Sequence, residues 1–350
     1  MGHTDLVALI ISCTFLNAIN SPFTIHHSPL IHHSPLIMEI FGPIPSRRLG
    51  RSLGINNIPP KSCSYYCTYC QVWPTEQTEI ERRHFYGADY LVSLVKERVA
   101  QLRAQGETID HLSFVPDGEP TLDADLGETI DKLRPLGIKI AIITNGSLIW
   151  REDVRETLKK VDWLSFKVDS VDEKIWHRIN IPQRNLKLTT ILDAMISFAK
   201  EYTGTLVTET MLVKGRNVDI DSAVKMADFL PRLNPARAYF LIPTRPPAIS
   251  SVQPPTEAEL NRFYQIVSRT VPNLEFLTNY EGNAFAVTGD VAEDLLSITA
   301  VHPMREEAVR ELLAKNLADW GIVASLLSSG QIMETEYEGK KFYIRRFHQK

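Results

Sequence analysis

The chain has 350 residues, with 38 Lys and Arg against 42 Asp and Glu, for a formal net charge of −4. That length holds one large domain plus a small one and buries a sizeable core without disulfides. The charge excludes a globally basic nucleic-acid binder, 17 Gly and 21 Pro exclude a collagen-like or low-complexity chain, and four Cys exclude a secreted disulfide scaffold.

In chain order, Leu6 to Ile19 is apolar but too short to span a bilayer, and no Lys or Arg precedes it as in a signal peptide. His26-His27-Ser28-Pro29-Leu30-Ile31 then repeats as His32-His33-Ser34-Pro35-Leu36-Ile37. The repeat reads as a low-complexity extension, since a Pro in each copy blocks helix and central strand; a metal-binding His tract is the alternative. Ordered-looking sequence begins at Met38, so residues 1–37 are expected to be a disordered extension, with Met38 as the natural start.

From there strands and helices alternate. Ser52–Ile58, His111–Val115, Lys139–Ile143, Trp163–Val168, Gly204–Val213 and Ala238–Ile242 read as strands, several continuously apolar. Tyr90–Ala104, Leu126–Arg134, Glu152–Val161, stretches up to Tyr202 and Val218–Leu230 read as helices. Apolar strands alternating with helices belong in a covered parallel sheet, either a partial barrel or a doubly wound sheet, with chemistry at the strands' C-terminal ends. The polar motifs all follow strands: the cysteine loop, Asp117-Gly118-Glu119-Pro120, Asn145-Gly146-Ser147, Asp169 and Thr244-Arg245.

The Pro-rich stretch 243–255 reads as a linker. After it, Glu257–Val267 is expected to be helical and Leu274–Leu277 a strand, then Ala292–Ile298, Met304–Ala314 and Ala318–Ser328 helical. A terminal hairpin, Ile332–Tyr337 and Lys340–Phe347, turns at Glu338-Gly339. The expected division is 38–250 as catalytic core, 251–289 as connecting segment and 290–350 as a small α+β winged-helix-like module. Lys340, Lys341, Arg345 and Arg346, interleaved with Phe342, Tyr343 and Phe347, suit RNA contacts; a docking or oligomer contact is the plainer alternative.

Cys63, Cys67 and Cys70 form a C-x3-C-x2-C cluster, while Cys13 stands alone. Structural zinc takes four ligands, usually as two separated pairs, and no second pair is present. An iron–sulfur cluster held by three cysteines leaves one iron open for a substrate or cofactor. Phe41 to Gly54 adds Arg47, Arg48 and Arg51 among glycines and small residues, the composition of an anion-binding loop or a solvated turn.

The cysteine motif, with Tyr69 before its last cysteine, resembles the radical S-adenosylmethionine (radical SAM) superfamily over roughly residues 43–250. With the Phe41–Gly54 segment it looks like a group related to the tRNA wyosine-base synthases, although the single remaining Cys13 cannot ligate a second cluster. The resemblance implies a partial (β/α)6 barrel. It implies a 4Fe-4S cluster on Cys63, Cys67 and Cys70, whose open iron chelates S-adenosylmethionine. Reductive cleavage would give a 5′-deoxyadenosyl radical that abstracts hydrogen from an unidentified substrate, a tRNA base, a protein side chain or a small molecule. Tyr69 is expected beside the adenine, or as a packing aromatic. Gly118, Glu119 and Pro120 match the motif that receives the methionine amino group, with Asp117 replacing its first glycine. Asn145, Ser147 and Asp169 are expected at the ribose or methionine carboxylate. Lys167, the candidate catalytic residue, and Glu209 read as substrate contacts or as strand residues without chemistry; Lys167 could also form a Schiff base. A flavodoxin- or ferredoxin-like low-potential donor, a reducing cytoplasm and no membrane contact are implied. The alternative from another class is a non-catalytic iron–sulfur or metal-binding adaptor.

Overall fold

A computed structural model describes residues 39–71, 78–277, 290–301 and 303–346. The His-rich repeat, Cys13 and Phe347 lie outside these residues.

The chain enters as a hairpin, β1 (Ile40–Ser46) antiparallel to β2 (Gly50–Ile55). This corrects the reading of Phe41–Gly54 as a loop. Glycines and prolines masked a strand whose Ile40, Phe41 and Ile44 are buried, and only Arg47 to Leu49 form the turn. The strand expected at Ser52–Ile58 accordingly begins and ends earlier. Six further strands continue the sheet in parallel with β2: β3 (His111–Phe114), β4 (Lys139–Thr144), β5 (Trp163–Lys167), β6 (Thr205–Met211), β7 (Arg237–Leu241) and β8 (Leu274–Leu277). The eight strands run β1 to β8 in spatial order, an α/β partial barrel whose seven parallel strands, β2 to β8, are one more than the six expected, with the antiparallel β1 at the edge.

Helices α1 (Ala88–Ala104), α2 (Leu126–Leu133), α3 (Glu152–Leu158), α4 (Glu173–Asn180), α5 (Leu188–Ala199), α6 (Ile220–Leu233) and α7 (Glu257–Val267) cross between the strands. Their ends follow from local chemistry. Asp219 caps α6 by accepting from Ser222 N, and Thr256 with Glu259 forms a capping box on α7. The segment read as a connector thus supplies α7 and β8.

Strand alternation sorts the core. Leu112, Phe114, Ile140, Ile142, Leu164 and Phe166 point outward against the helices and are fully buried. Each is worth about 1.5–3 kcal/mol of apolar burial. On the inner face, Leu49, Ala141, Trp163, Val207, Tyr239 and Leu277 pack as a floor. Above it β5 presents Ser165 and Lys167, and β6 presents Glu209 and Met211.

The C-terminal module contains α8 (Val291–Val301), β9 (Met304–Arg305), α9 (Glu306–Lys315), α10 (Gly321–Ser328), β10 (Ile332–Tyr337) and β11 (Lys340–Arg345). Its sheet order is β10-β11-β9. The helix expected from Met304 begins two residues later, because Met304 and Arg305 pair with Tyr343 and Phe342 of β11. Glu338 and Gly339, with φ of 50° and 69°, make the expected hairpin turn. The module shares one apolar cluster with Phe41 and Ile44 of β1. Tyr337 Oη also donates to the carbonyl of Pro243 beyond β7, at 3.3 Å. It therefore touches the barrel near both of its sides. No described helix is long and apolar enough to cross a membrane.

Candidate active site

A cavity of about 330 Å³ opens at the C-terminal ends of the strands, as parallel α/β folds require. Cys63, Cys67 and Cys70 line it together with Tyr69, Asp117, Gly118 and Glu119. Asn145, Lys167, Glu209 and Arg245 add to the polar lining, with Arg48, Gln71 and Thr144 among the rest.

The cysteine loop is fastened to the loop after β3. Lys61 N donates to Asp117 O at 2.8 Å, and Glu119 N donates to Ser62 O at 2.9 Å. Gly118 is where the two chains press closest: a Cβ there would sit 1.9 Å from Ser62 O. On its other side the loop is tied to the end of α4, with Thr68 N donating to Ile179 O at 2.8 Å.

Glu119 is buried and bonded through both oxygens. It accepts from Thr121 N (3.0 Å), Thr121 Oγ1 (2.5 Å), Thr144 Oγ1 (2.6 Å) and Asn145 N (2.8 Å). Three of these donors crowd Oε1 and one reaches Oε2, so Glu119 ties the β3 and β4 loops together while Oε2 keeps room for a further donor. Burial pushes its carboxyl upward against those same bonds. Pro120 starts a short 3-10 turn and is buried away from the cavity.

Asn145 Nδ2 donates to Ser64 Oγ at 2.8 Å and stands 3.7 Å from Cys63 Sγ. Ser147 is fully buried behind it, its hydroxyl 2.6 Å from that of Ser64. Asp169 sits in a small adjoining pocket, where Tyr69 Oη donates to one carboxylate oxygen and Met211 N to the other at 2.8 Å. Asn180 Nδ2 donates to Asp169 at 2.6 Å and reaches Cys67 Sγ at 3.3 Å. Asn180 was not singled out in the sequence, since it lies at a helix end far from any motif. The structure thus brings Tyr69, Gly118, Glu119, Asn145 and Lys167 to the cavity and sets Pro120, Ser147 and Asp169 one layer behind.

Deeper in the barrel, Glu209 is held between two cations. Arg48 Nη1 lies 2.5 Å from one oxygen and Lys167 Nζ 3.4 Å from the other, and Ser165 Oγ donates at 3.0 Å. Burial alone would raise the Glu209 carboxyl, but Arg48 and Lys167 outweigh it and leave it below the usual carboxylate range. Of the arginines in the β1–β2 hairpin, Arg48 is therefore an interior residue. Arg51 instead pairs with Glu107.

The three cysteines are not joined in a disulfide. Burial raises Cys63, and it pushes Cys67 up to about 12, with the neighbouring thiols and carboxylates adding to it. Among the described residues, no three Cys, His, Asp or Glu side chains stand close enough to share one metal ion. Three thiols lining one cavity are the donor set of a polynuclear cluster, whose cysteines bind separate irons.

Residues 57–230 match the radical SAM superfamily. The chain belongs to that superfamily. It is a radical SAM enzyme, and its relatives include the UPF0026 protein of Methanocaldococcus jannaschii, 47% identical over 87% of this chain and 95% of that one. A UPF0026 protein of Helicobacter pylori strain J99 is 30% identical over 87% of this chain and 96% of its own length. Among solved structures, TYW1 with a lysine–pyruvate adduct bound aligns over 63% of this chain and 74% of that chain, with a TM-score of 0.49 and 16% identity.

The structure corrects one expectation about the C-terminal hairpin. Phe342, Tyr343 and Arg345 are buried, so the basic and aromatic run does not form one exposed face. Lys340, Lys341 and Arg346 remain exposed, with Lys341 paired to Glu334 at 3.0 Å.

Proposed function

We propose that this chain holds a 4Fe-4S cluster on Cys63, Cys67 and Cys70, binds S-adenosylmethionine across the open iron, and acts on a substrate in the same cavity. The observation that carries the reading is the meeting of the three thiols with Gly118, Glu119 and Asn145 around one cavity. When bound, the cluster supplies one electron to the sulfonium, releasing methionine and a 5′-deoxyadenosyl radical.

This chain's own residues bind, orient and shield. The backbone beside Gly118 is bare and close to the cysteine loop, which suits contacts to the methionine end of the cofactor. Tyr69, fixed by Asp169, offers a ring face for the adenine. Asn145 and Asn180 point amide N–H groups toward cysteine sulfurs, where hydrogen bonds tune a cluster's potential. Lys167 and Glu209 lie deeper in the barrel, where a substrate's polar group would meet them. The cysteines that bind iron must lose protons, so assembly releases protons. A cluster with an open iron is oxygen-sensitive and must be reduced to act, which suits a reducing, oxygen-poor cytoplasm and a flavodoxin- or ferredoxin-like electron donor.

The test is anaerobic reconstitution with iron and sulfide, then reduction in the presence of S-adenosylmethionine. Formation of 5′-deoxyadenosine by the wild type, and loss of both cluster absorbance and cleavage in Cys67→Ala, is the expected result. A reconstituted cluster that yields no 5′-deoxyadenosine sinks the enzyme reading and leaves a metal-binding adaptor.

A further inference from the structure

The stretch from Pro243 to Pro255 reads as a linker in the sequence, yet in the fold it crosses the cysteine loop as a strap. Its first residue is held where the Pro243 carbonyl accepts from Tyr337 Oη at 3.3 Å. Near its other end the Gln253 carbonyl accepts from Lys214 N, beyond β6, at 3.0 Å. Proline at 243, 246, 247, 254 and 255 fixes φ and removes the N–H donor at each of these positions. Such a segment loses little freedom on folding and has few amides to satisfy.

Two of the amides that remain go to the cysteine loop. Ala248 N donates to Cys70 O at 2.7 Å, and Ile249 N donates to Thr68 O at 3.2 Å. Val252, 1% exposed, and Ile249 pack with Tyr69, Ile179 and Met211 in one apolar cluster. Arg245 adds a side-chain bond: its Nη1 donates to Gln71 Oε1, directly after Cys70, at 3.0 Å.

These contacts bear on the last of the three thiols. The Cys70 amide donates to Cys67 O within the loop at 3.0 Å, and its carbonyl reaches out to the strap. Tyr69, Cys70, Gln71 and Arg245 all line the cavity. The strap therefore backs the wall in which Cys70 sits, and the bond from Arg245 to Gln71 joins the two along the cavity's edge.

We propose that Arg245 is a positioning residue: by clasping Gln71 it holds the strap on the cysteine loop and fixes Cys70 in the cavity wall. The functional meaning rests on the reading of that cavity as a cluster and cofactor site; the clasp itself does not.

The test uses the full chain as Gln71→Leu, Arg245→Leu, the double variant of the two, and Gln71→Glu. Amide hydrogen exchange is measured without iron on peptides covering residues 66–71 and 245–253, with 152–168 as the control. The second peptide contains Ala248 and Ile249, whose amides reach the cysteine loop. Each Leu variant is expected to speed exchange about three- to tenfold in both peptides, the effect of one lost hydrogen bond, and leave the control unchanged. The double variant is no faster than Arg245→Leu, because the two side chains act through one bond. Gln71→Glu keeps an acceptor for the guanidinium and exchanges no faster than the wild type. After anaerobic reconstitution, loss of iron to EDTA follows the same order. Unchanged exchange in either Leu variant, an additive double variant, an equal rise in the control, Gln71→Glu exchanging as fast as Gln71→Leu, or iron loss that does not follow exchange overturns the proposal. If exchange responds as expected while even the wild type binds neither cluster nor S-adenosylmethionine, the clasp stands and the cofactor reading fails.

Discussion

Replacing Gly118 with Ala tests how tightly the cysteine loop depends on its neighbour. A Cβ at 118 would lie 1.9 Å from Ser62 O, 2.8 Å from Ser62 C and 2.9 Å from Ile58 Cδ1. The first two are backbone atoms, so no side-chain rotation relieves the clash and the loops must separate. Separation stretches the bonds from Lys61 N to Asp117 O and from Glu119 N to Ser62 O. Overpacking costs about 1–3 kcal/mol. Each weakened hydrogen bond adds about 0.5–1.5 kcal/mol. The reduced freedom of the unfolded chain returns about 0.4–1 kcal/mol. With two such bonds the net loss is roughly 1–6 kcal/mol. At about 2–4 °C per kcal/mol for a large domain, Gly118→Ala should melt on the order of 2–20 °C lower. Urea titration of the iron-free chain reads the stability, and iron per chain after reconstitution reads the displacement of Cys63. A variant within about 0.5 kcal/mol of wild type that takes up its full iron would refute the argument.

Three further substitutions separate the layers of the site. Glu209→Gln keeps the side chain's shape and an acceptor for Ser165 but leaves Arg48 and Lys167 without their shared anion. A cost of about 3–5 kcal/mol by urea denaturation is expected, and a neutral result would show that the two cations do not need Glu209. Asp117→Asn isolates a pH effect. Burial pushes the Asp117 carboxyl up to about 8, with the Asn56 hydrogen bond and Arg345 opposing and Tyr86 nearby. A raised folded-state value means the stability tied to this proton is complete below the unfolded value of about 4 and is lost as pH rises through about 8. Urea midpoints at pH 5, 6.5 and 8 should therefore fall more steeply with pH in the wild type than in Asp117→Asn; parallel curves exclude the assignment. Asn180→Leu deletes an N–H facing Cys67 Sγ and should lower the cluster's midpoint potential in an EPR-monitored titration, while an unmoved potential removes Asn180 from the tuning set.

The sequence shows the barrel most clearly where its pattern is strictest. Trp163, Ser165 and Lys167 alternate with Leu164 and Phe166, and that period of two places Lys167 inside the barrel opposite Glu209 in register. The three cysteines announce their site by spacing alone. β1 is hidden because Gly42, Pro43 and Pro45 break the pattern of a strand that pairs on one side only. β8 is only four residues long and is identified by pairing with β7. Asn180 and Asn217 carry no local signature at all. Asn217 Nδ2 bonds the carbonyls of Asp169 and Met211 at 2.8 and 2.9 Å, contacts that exist only once β5 and β6 lie side by side.

The hairpin at the C-terminus shows why composition misleads about function. Lys340, Lys341, Arg345 and Arg346 make a run of positive charge in the sequence, and aromatics between them invite a nucleic-acid reading. In a strand, however, water reaches only the residues that no other element covers. β9 pairs with Tyr343 and Phe342, and α8 accepts a hydrogen bond from Arg345, so coverage begins midway along β11 and the run divides. Lys340 and Lys341 stay outside, where a lone pair of lysines contributes little beyond solubility and an ion pair to Glu334. Arg345 goes inside, where it donates to Leu296 O at 3.2 Å and ties β11 to α8. The side chain that looked like a phosphate contact is therefore part of the packing of the C-terminal elements against one another.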